Sequence, residues 1–241
     1  MIQIDQEKCI RCGTCVPFCP MGAIHLDDVA SIDQDECVEC GACMKAAMCP
    51  VDAFTSEPSP YPRSVRAVFS DPTATHKDTG LAGRGTEEMK TNEVTGRFKP
   101  GFVGVGLEFG RPGIGTRFYD VQTVAMAVAK VGAGFETSNP VTQLIEDKKT
   151  GKFKDEVLNE KAMSAIIECL IPIEKLKELL TAVQEAAKHI DTVFSIECIT
   201  RVAPDNSLPV EAILTEMGIT HLINGKTNVG LGRPLFEGGD N

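Results

Sequence analysis

Ten cysteines occur in the 241 residues, and eight of them fall between Cys9 and Cys49. They form two runs, Cys9-x2-Cys12-x2-Cys15-x3-Cys19-Pro20 and Cys37-x2-Cys40-x2-Cys43-x5-Cys49-Pro50. Two-residue spacings let three thiolates converge on one face of a compact inorganic core while a fourth arrives from elsewhere, which is the ligation expected for iron–sulfur clusters. Structural zinc fits less well, because it uses paired C-x2–4-C knuckles separated by a longer loop. Disulfides are not expected in a reducing cytoplasm. The chemistry these residues support is one-electron transfer: a cluster whose irons all carry cysteine has no open position for a substrate.

The runs belong to a repeat. Ile4-Asp5-Gln6 followed by Cys9, Cys12, Gly13 and Cys15 recurs 28 positions on as Ile32-Asp33-Gln34 with Cys37, Cys40, Gly41 and Cys43. The offset then slips by two, so that Cys19-Pro20 matches Cys49-Pro50 and Ala23 matches Ala53. Neither copy has enough apolar side chains to fold alone, so something besides a hydrophobic core must hold the pair.

At these residues the sequence resembles the bacterial two-[4Fe–4S] ferredoxins, over residues 1–56. The resemblance implies two [4Fe–4S] clusters, one on Cys9, Cys12, Cys15 and Cys49, the other on Cys37, Cys40, Cys43 and Cys19. Crossed ligation of this kind would let the clusters staple the halves together. The family pattern has three residues between the third and fourth cysteines, whereas the second run has five, Met44 to Met48. The surroundings of the cluster closed by Cys49 are therefore expected to depart from the family's.

Charge and composition narrow the partners. The net charge of −10 argues against a nucleic-acid surface. Residues 1–56 are the most acidic region, with nine acids against three bases. Asp27, Asp28, Asp33, Asp35, Glu36 and Glu39 form an expected docking face for a basic redox partner. No apolar run reaches the length of a membrane span, and Met-Ile-Gln-Ile-Asp has neither a basic nor an apolar leader region. The expected location is cytoplasmic.

Elements follow from periodicity. Residues 57–100, punctuated by Pro58, Pro60, Pro62, Pro72 and Pro100, read as a loop-rich connector with one short helix over 86–94. From residue 101 the pattern is α+β. It predicts a strand Phe102–Phe109, a helix capped by Asp120, a hairpin around Lys148–Gly151 and a buried strand Ala165–Ile171. A helix opened by Pro172, a strand Thr192–Val202, a helix Pro209–Met217 and a fifth strand Ile219–Ile223 follow. The order β-α-β-β-α-β predicts a ferredoxin-like α/β plait over residues 101–241, ending in a glycine-rich tail.

Outside the cysteine runs the chemical signals are few. Gly80–Glu88 with Arg84, and the glycine-rich stretch holding Arg111 and Arg117, are expected to offer a site for a small anion. Gly104-x-Gly106 falls inside a predicted strand, not between strand and helix, which argues against a dinucleotide loop. Cys169 and Cys198 lie on apolar strand faces and read as small buried hydrophobes. His25, His76, His189 and His221 form no ligand spacing, and no catalytic set can be assembled. The expected function is electron transfer, as a subunit passing low-potential electrons within a larger anaerobic oxidoreductase. The alternatives are a redox-linked small-molecule sensor, or a reductase with an anionic-substrate site in the plait; self-association is compatible with each.

Overall fold

The structure, a computed structural model, describes residues 1–46, 48–80, 99–111 and 113–220. The expected helix at 86–94, Arg84, Pro112, His221, the last three residues of the expected fifth strand and the tail lie outside these residues.

The repeat folds as two halves that exchange strands. Strand β1 (Ile2–Ile4) opens the first copy, and β2 (Ile24–Leu26) closes it. β3 (Ala30–Ile32), the one-turn helix α1 (Ala42–Lys45) and β4 (Phe54–Ser56) form the second. β1 pairs antiparallel with β4 and β2 with β3, so each ladder joins the start of one copy to the end of the other. The turns repeat atom for atom. Asp5 Oδ1 accepts the Glu7 amide at 3.0 Å, and Asp33 Oδ1 accepts the Asp35 amide at 2.8 Å. Gln6 Nε2 donates to Ala30 O at 2.8 Å while Gln34 Nε2 donates to Ile2 O at 2.9 Å, each amide crossing into the other half. Gly13 and Gly41 both sit near φ +70°, a conformation that glycine alone adopts without strain.

A helix then appears where the proline-rich composition predicts extended chain: α2, Ser64–Ser70. It buries Val65 and Phe69 in the core of the following segment, where Phe69 meets Phe118 edge to face with centroids 5.2 Å apart. Arg63 and Arg66 leave it in the other direction, toward the cysteine repeat.

Beyond residue 100 a four-stranded sheet has the order β12–β5–β11–β7, every neighbouring pair antiparallel. Its strands are β5 (Phe102–Phe109), β7 (Gly134–Phe135), β11 (Ala165–Pro172) and β12 (Phe194–Ile199). Short strands β6 (Thr116–Arg117) and β10 (Lys161–Ala162) pair with each other, as do β8 (Ile145–Asp147) and β9 (Lys152–Phe153). Helices α3 (Phe118–Val131) and α4 (Leu176–Ala186) cover one sheet face. Val121, Val124, Val128, Leu176, Leu180 and Val183 meet Val103, Val105, Leu107 and Phe109 in the core. A further helix, α5 (Glu211–Glu216), leads to Gly218.

Several expectations need correction. The predicted hairpin forms as β8–β9 but stands apart from the main sheet, whose edge is the two-residue β7. Helix α3 starts at Phe118, so Asp120 is not its cap; it lies buried in the first turn and accepts the Asp191 amide at 3.1 Å. Burial raises the Asp120 carboxyl above its ordinary range. Ile219 and Thr220 are not strand.

Cys169 and Cys198 flank Val105 in register on either side of β5. Burial pushes their thiols up to about 12 and about 11. At pH 8 the reactive thiolate is therefore a fraction of about one in a thousand or less. Alkylation of the intact protein followed by peptide mass mapping is expected to leave both unmodified at pH 8. The Cys198 rate should climb about tenfold per pH unit toward pH 11; modification of either cysteine at pH 8 at the rate of a free thiol contradicts this burial.

Candidate metal centre

The eight clustered cysteines line two cavities, and the partition crosses the repeat. Cys9, Cys12, Cys15 and Cys49 line one together with Ile4, Ala30, Val51 and Phe54. Cys19, Cys37, Cys40 and Cys43 line another together with Ile2, Ile24, Ile32 and Val38. In each set three thiols come from one run and the fourth from the other.

The local backbone explains how. Cys9 N–H donates to Asp5 O and Cys37 N–H to Asp33 O, both at 3.0 Å, so the Asp turn launches each run from the same geometry. The Ala23 amide donates to Cys19 Sγ at 3.2 Å and the Ala53 amide to Cys49 Sγ at 3.3 Å. The amide bond to Cys49 Sγ thus matches the one to Cys19 Sγ despite the two extra residues of the second run. Helix α1 carries Lys45 outward to pair with Asp71 beyond helix α2.

Electrostatics shows why the thiols need a cationic core. Burial pushes Cys43 up to about 12, reinforced by the nearby charges of Cys40, Cys37 and Cys19. Burial also raises Cys15, with Cys12, Cys9 and Cys49 adding to it. Cys12, fully exposed, is instead lowered by hydrogen bonds from Thr14. Four thiolates round one small apolar cavity cannot coexist without positive charge between them. Among the described residues no three metal-ligating side chains converge as one ion requires. A zinc ion bonded to sulfur at about 2.3 Å would draw its four sulfurs to within about 4 Å of each other. The donor set, four soft thiols round an apolar space, fits a larger inorganic core.

The family comparison gives the same answer. Residues 2–25 match the model of a 4Fe-4S binding domain, and residues 34–52 match a second 4Fe-4S binding domain model. The N-terminal segment is a ferredoxin-type 4Fe–4S binding segment. Domains of this type bind 4Fe–4S clusters and transfer electrons. A comparison of the chain with curated proteins finds no significant match.

The acidic face of the ferredoxin segment meets its own chain. Arg117 binds Asp35 at 2.7 Å and Glu36 at 3.0 Å, and Lys161 pairs with Glu36. Arg63 binds Glu39 at 2.7 Å, and Glu39, which is 7% exposed, also accepts the Ile2 amide at 3.1 Å. Three of the six carboxylates expected to meet a basic partner are therefore taken intramolecularly, while Asp27 and Asp28 stay exposed. The loop after β5 seats on the same end. At Gly115 (φ +73°) a Cβ would stand 2.5 Å from Met21 Cε, and at Gly113 one would stand 3.8 Å from Pro20 O. Pro20 and Met21 line the second cavity.

Among the described residues, the two arginines of the expected anion site are paired with carboxylates. Arg117 is held by two carboxylates, Arg111 lies 3.0 Å from Glu108, and Arg84 is outside the described residues. Reasoning from sequence missed Arg63, Arg66 and Lys161, because their partners stand 24 to 125 positions away. His76, buried at 8% exposure, shares a hydrogen bond with Thr79 at 3.2 Å, and His189 lies 3.7 Å from Glu185.

The Arg63–Glu39 pair is one of the buried ion pairs of this seam. Removing one member leaves an uncompensated buried charge, a loss of about 3–5 kcal/mol. In a double-mutant cycle read by thermal unfolding, Arg63→Met and Glu39→Gln should each destabilise strongly, and the double variant should lose clearly less than the sum. Strict additivity would mean that the pair is not coupled.

Proposed function

We propose that the chain is an iron–sulfur electron carrier with two [4Fe–4S] clusters. Cys9, Cys12, Cys15 and Cys49 hold one, and Cys19, Cys37, Cys40 and Cys43 hold the other. The observation that carries this reading is the crossed partition of eight thiols between two apolar cavities. When bound, the clusters supply reversible one-electron chemistry. The chain's own residues hold the thiols in place through the Asp5 and Asp33 turns, shield them with Ile, Val and Phe side chains, and donate amide hydrogens to Cys19 and Cys49.

Residues 1–56 form the ferredoxin domain in this proposal, residues 57–100 the connector, and residues 101–241 an α/β plait. The sheet order β12–β5–β11–β7 with two helices on one face supports the plait. The plait and helix α2 hold the second cluster's end of the ferredoxin domain, while Cys12 and the 59%-exposed Ile10 leave the first cluster's end open to solvent. That polarity suits a wiring subunit, which takes low-potential electrons from a cytoplasmic redox protein at one end and passes them on within a larger anaerobic oxidoreductase. Among the described residues no helix is long and apolar enough to cross a membrane. The reductase alternative calls for an anionic-substrate site in the plait, and the carboxylates on Arg111 and Arg117 weigh against those two side chains as its ligands.

Anaerobically purified protein is expected to carry ~8 iron and ~8 sulfide per chain. Crossed ligation gives the sharper test. Cys19→Ser combined with Cys43→Ser removes two thiols of one set and should leave ~4 iron, whereas Cys19→Ser combined with Cys15→Ser strikes both sets and should leave less than ~4. The reverse pattern would assign each cluster to a single run and refute the crossing.

A further inference from the structure

The repeat makes the two thiol sets alike, but their charged surroundings differ. Arg66 is 4% exposed and donates from Nη1 to the carbonyls of Gln34 at 3.0 Å, Asp35 at 2.8 Å and Cys37 at 2.8 Å. Its Nε pairs with Glu160. The guanidinium thus spans the backbone that leads into the second run, from Gln34 to Cys37, and a carboxylate, Glu160. Beside the first set the nearby cations face water: Arg11 is exposed, and Lys8, with 56% of its side chain exposed, pairs with Asp5. Water and salt screen these charges, while a charge excluded from solvent acts several times more strongly.

Two effects compete at the second set. Burial against the rest of the chain disfavours an added negative charge there. A buried cation at the Cys37 carbonyl favours it. We propose that Arg66 decides this balance: its charge stabilises the added electron on the cluster held by Cys19, Cys37, Cys40 and Cys43. That cluster becomes the acceptor of the pair, and electrons run from the solvent-facing cluster inward. The inference rests on the two-cluster reading above. With both clusters bound, the set near Cys12 would give up one electron and the set near Cys37 would take it. No bond forms or breaks, and Arg66 keeps its proton throughout. An external one-electron donor protein re-reduces the first cluster.

Glu160 gives the proposal its sign test. Neutralising Arg66 removes a positive charge, and neutralising Glu160 removes the negative charge that offsets it. The experiment is a dithionite redox titration of the full-length holoprotein, followed by electron paramagnetic resonance. The signal of each cluster is assigned with the Cys19→Ser/Cys43→Ser variant. Arg66→Gln is expected to lower the midpoint of the second cluster and leave the first unmoved. Arg66→Lys should restore part of the difference, and Glu160→Gln should raise that same midpoint. Opposite shifts confined to one cluster cannot come from general loosening of the fold. Midpoints that stay fixed, or that move together in one direction, overturn the proposal. If Arg66→Gln fails to fold, Glu160→Gln decides alone: a rise at the second cluster supports the assignment and no rise refutes it. Wild-type iron near ~8 per chain with no shift refutes the role of Arg66 only, while wild-type iron far from ~8 refutes the two-cluster reading itself.

Discussion

Mutual repulsion among buried thiolates is the constraint on which the ferredoxin segment depends. Four sulfurs face each apolar cavity, and at Cys43 burial first and the neighbouring Cys40, Cys37 and Cys19 second push the thiol up to about 12. A segment with so small an apolar core cannot carry that cost by packing alone. In the proposed two-cluster reading its fold and its inorganic cores would form together, in the way that metal binding supplies folding free energy to other small domains. The proposed crossing of Cys19 and Cys49 would turn each core into a link between halves that share short two-strand ladders.

Helix α2 extends the constraint to the rest of the chain. One of its faces places Phe69 against Phe118 in the larger core, and the other places Arg63 and Arg66 on the peptide that leads to Cys37. Arg117 and Lys161 add a second row of contacts on Asp35 and Glu36. An acidic surface that would otherwise repel an incoming electron is thereby partly neutralised from within the molecule. The first cluster's end lacks this cover, which gives the carrier an open end and a held end.

The two cysteine runs were legible in the sequence because cluster ligation imposes fixed short spacings, whereas the crossed assignment of Cys19 and Cys49 came from the resemblance to the bacterial two-[4Fe–4S] ferredoxins. Strands β5, β11 and β12 and helices α3 and α4 were legible for a similar reason: each is long enough for its apolar period to show. Helix α2 was not, since seven residues without a capping side chain offer only Val65 and Phe69 as a pattern, amid prolines. β7 is two residues long and is held by β11 rather than by its own composition. Arg117 was read as an anion ligand because its partners, Asp35 and Glu36, lie 82 and 81 positions away. Local sequence carries the sign of that charge but not what it faces.

The central claim is that two separate iron–sulfur cores sit in the two crossed thiol sets. Anomalous diffraction at the iron edge from anaerobically grown crystals tests it most directly. Two compact iron peaks are expected, one enclosed by Cys9, Cys12, Cys15 and Cys49 and the other by Cys19, Cys37, Cys40 and Cys43. Peaks enclosed by Cys9, Cys12, Cys15 and Cys19, or single-atom peaks at the zinc edge in their place, would contradict it.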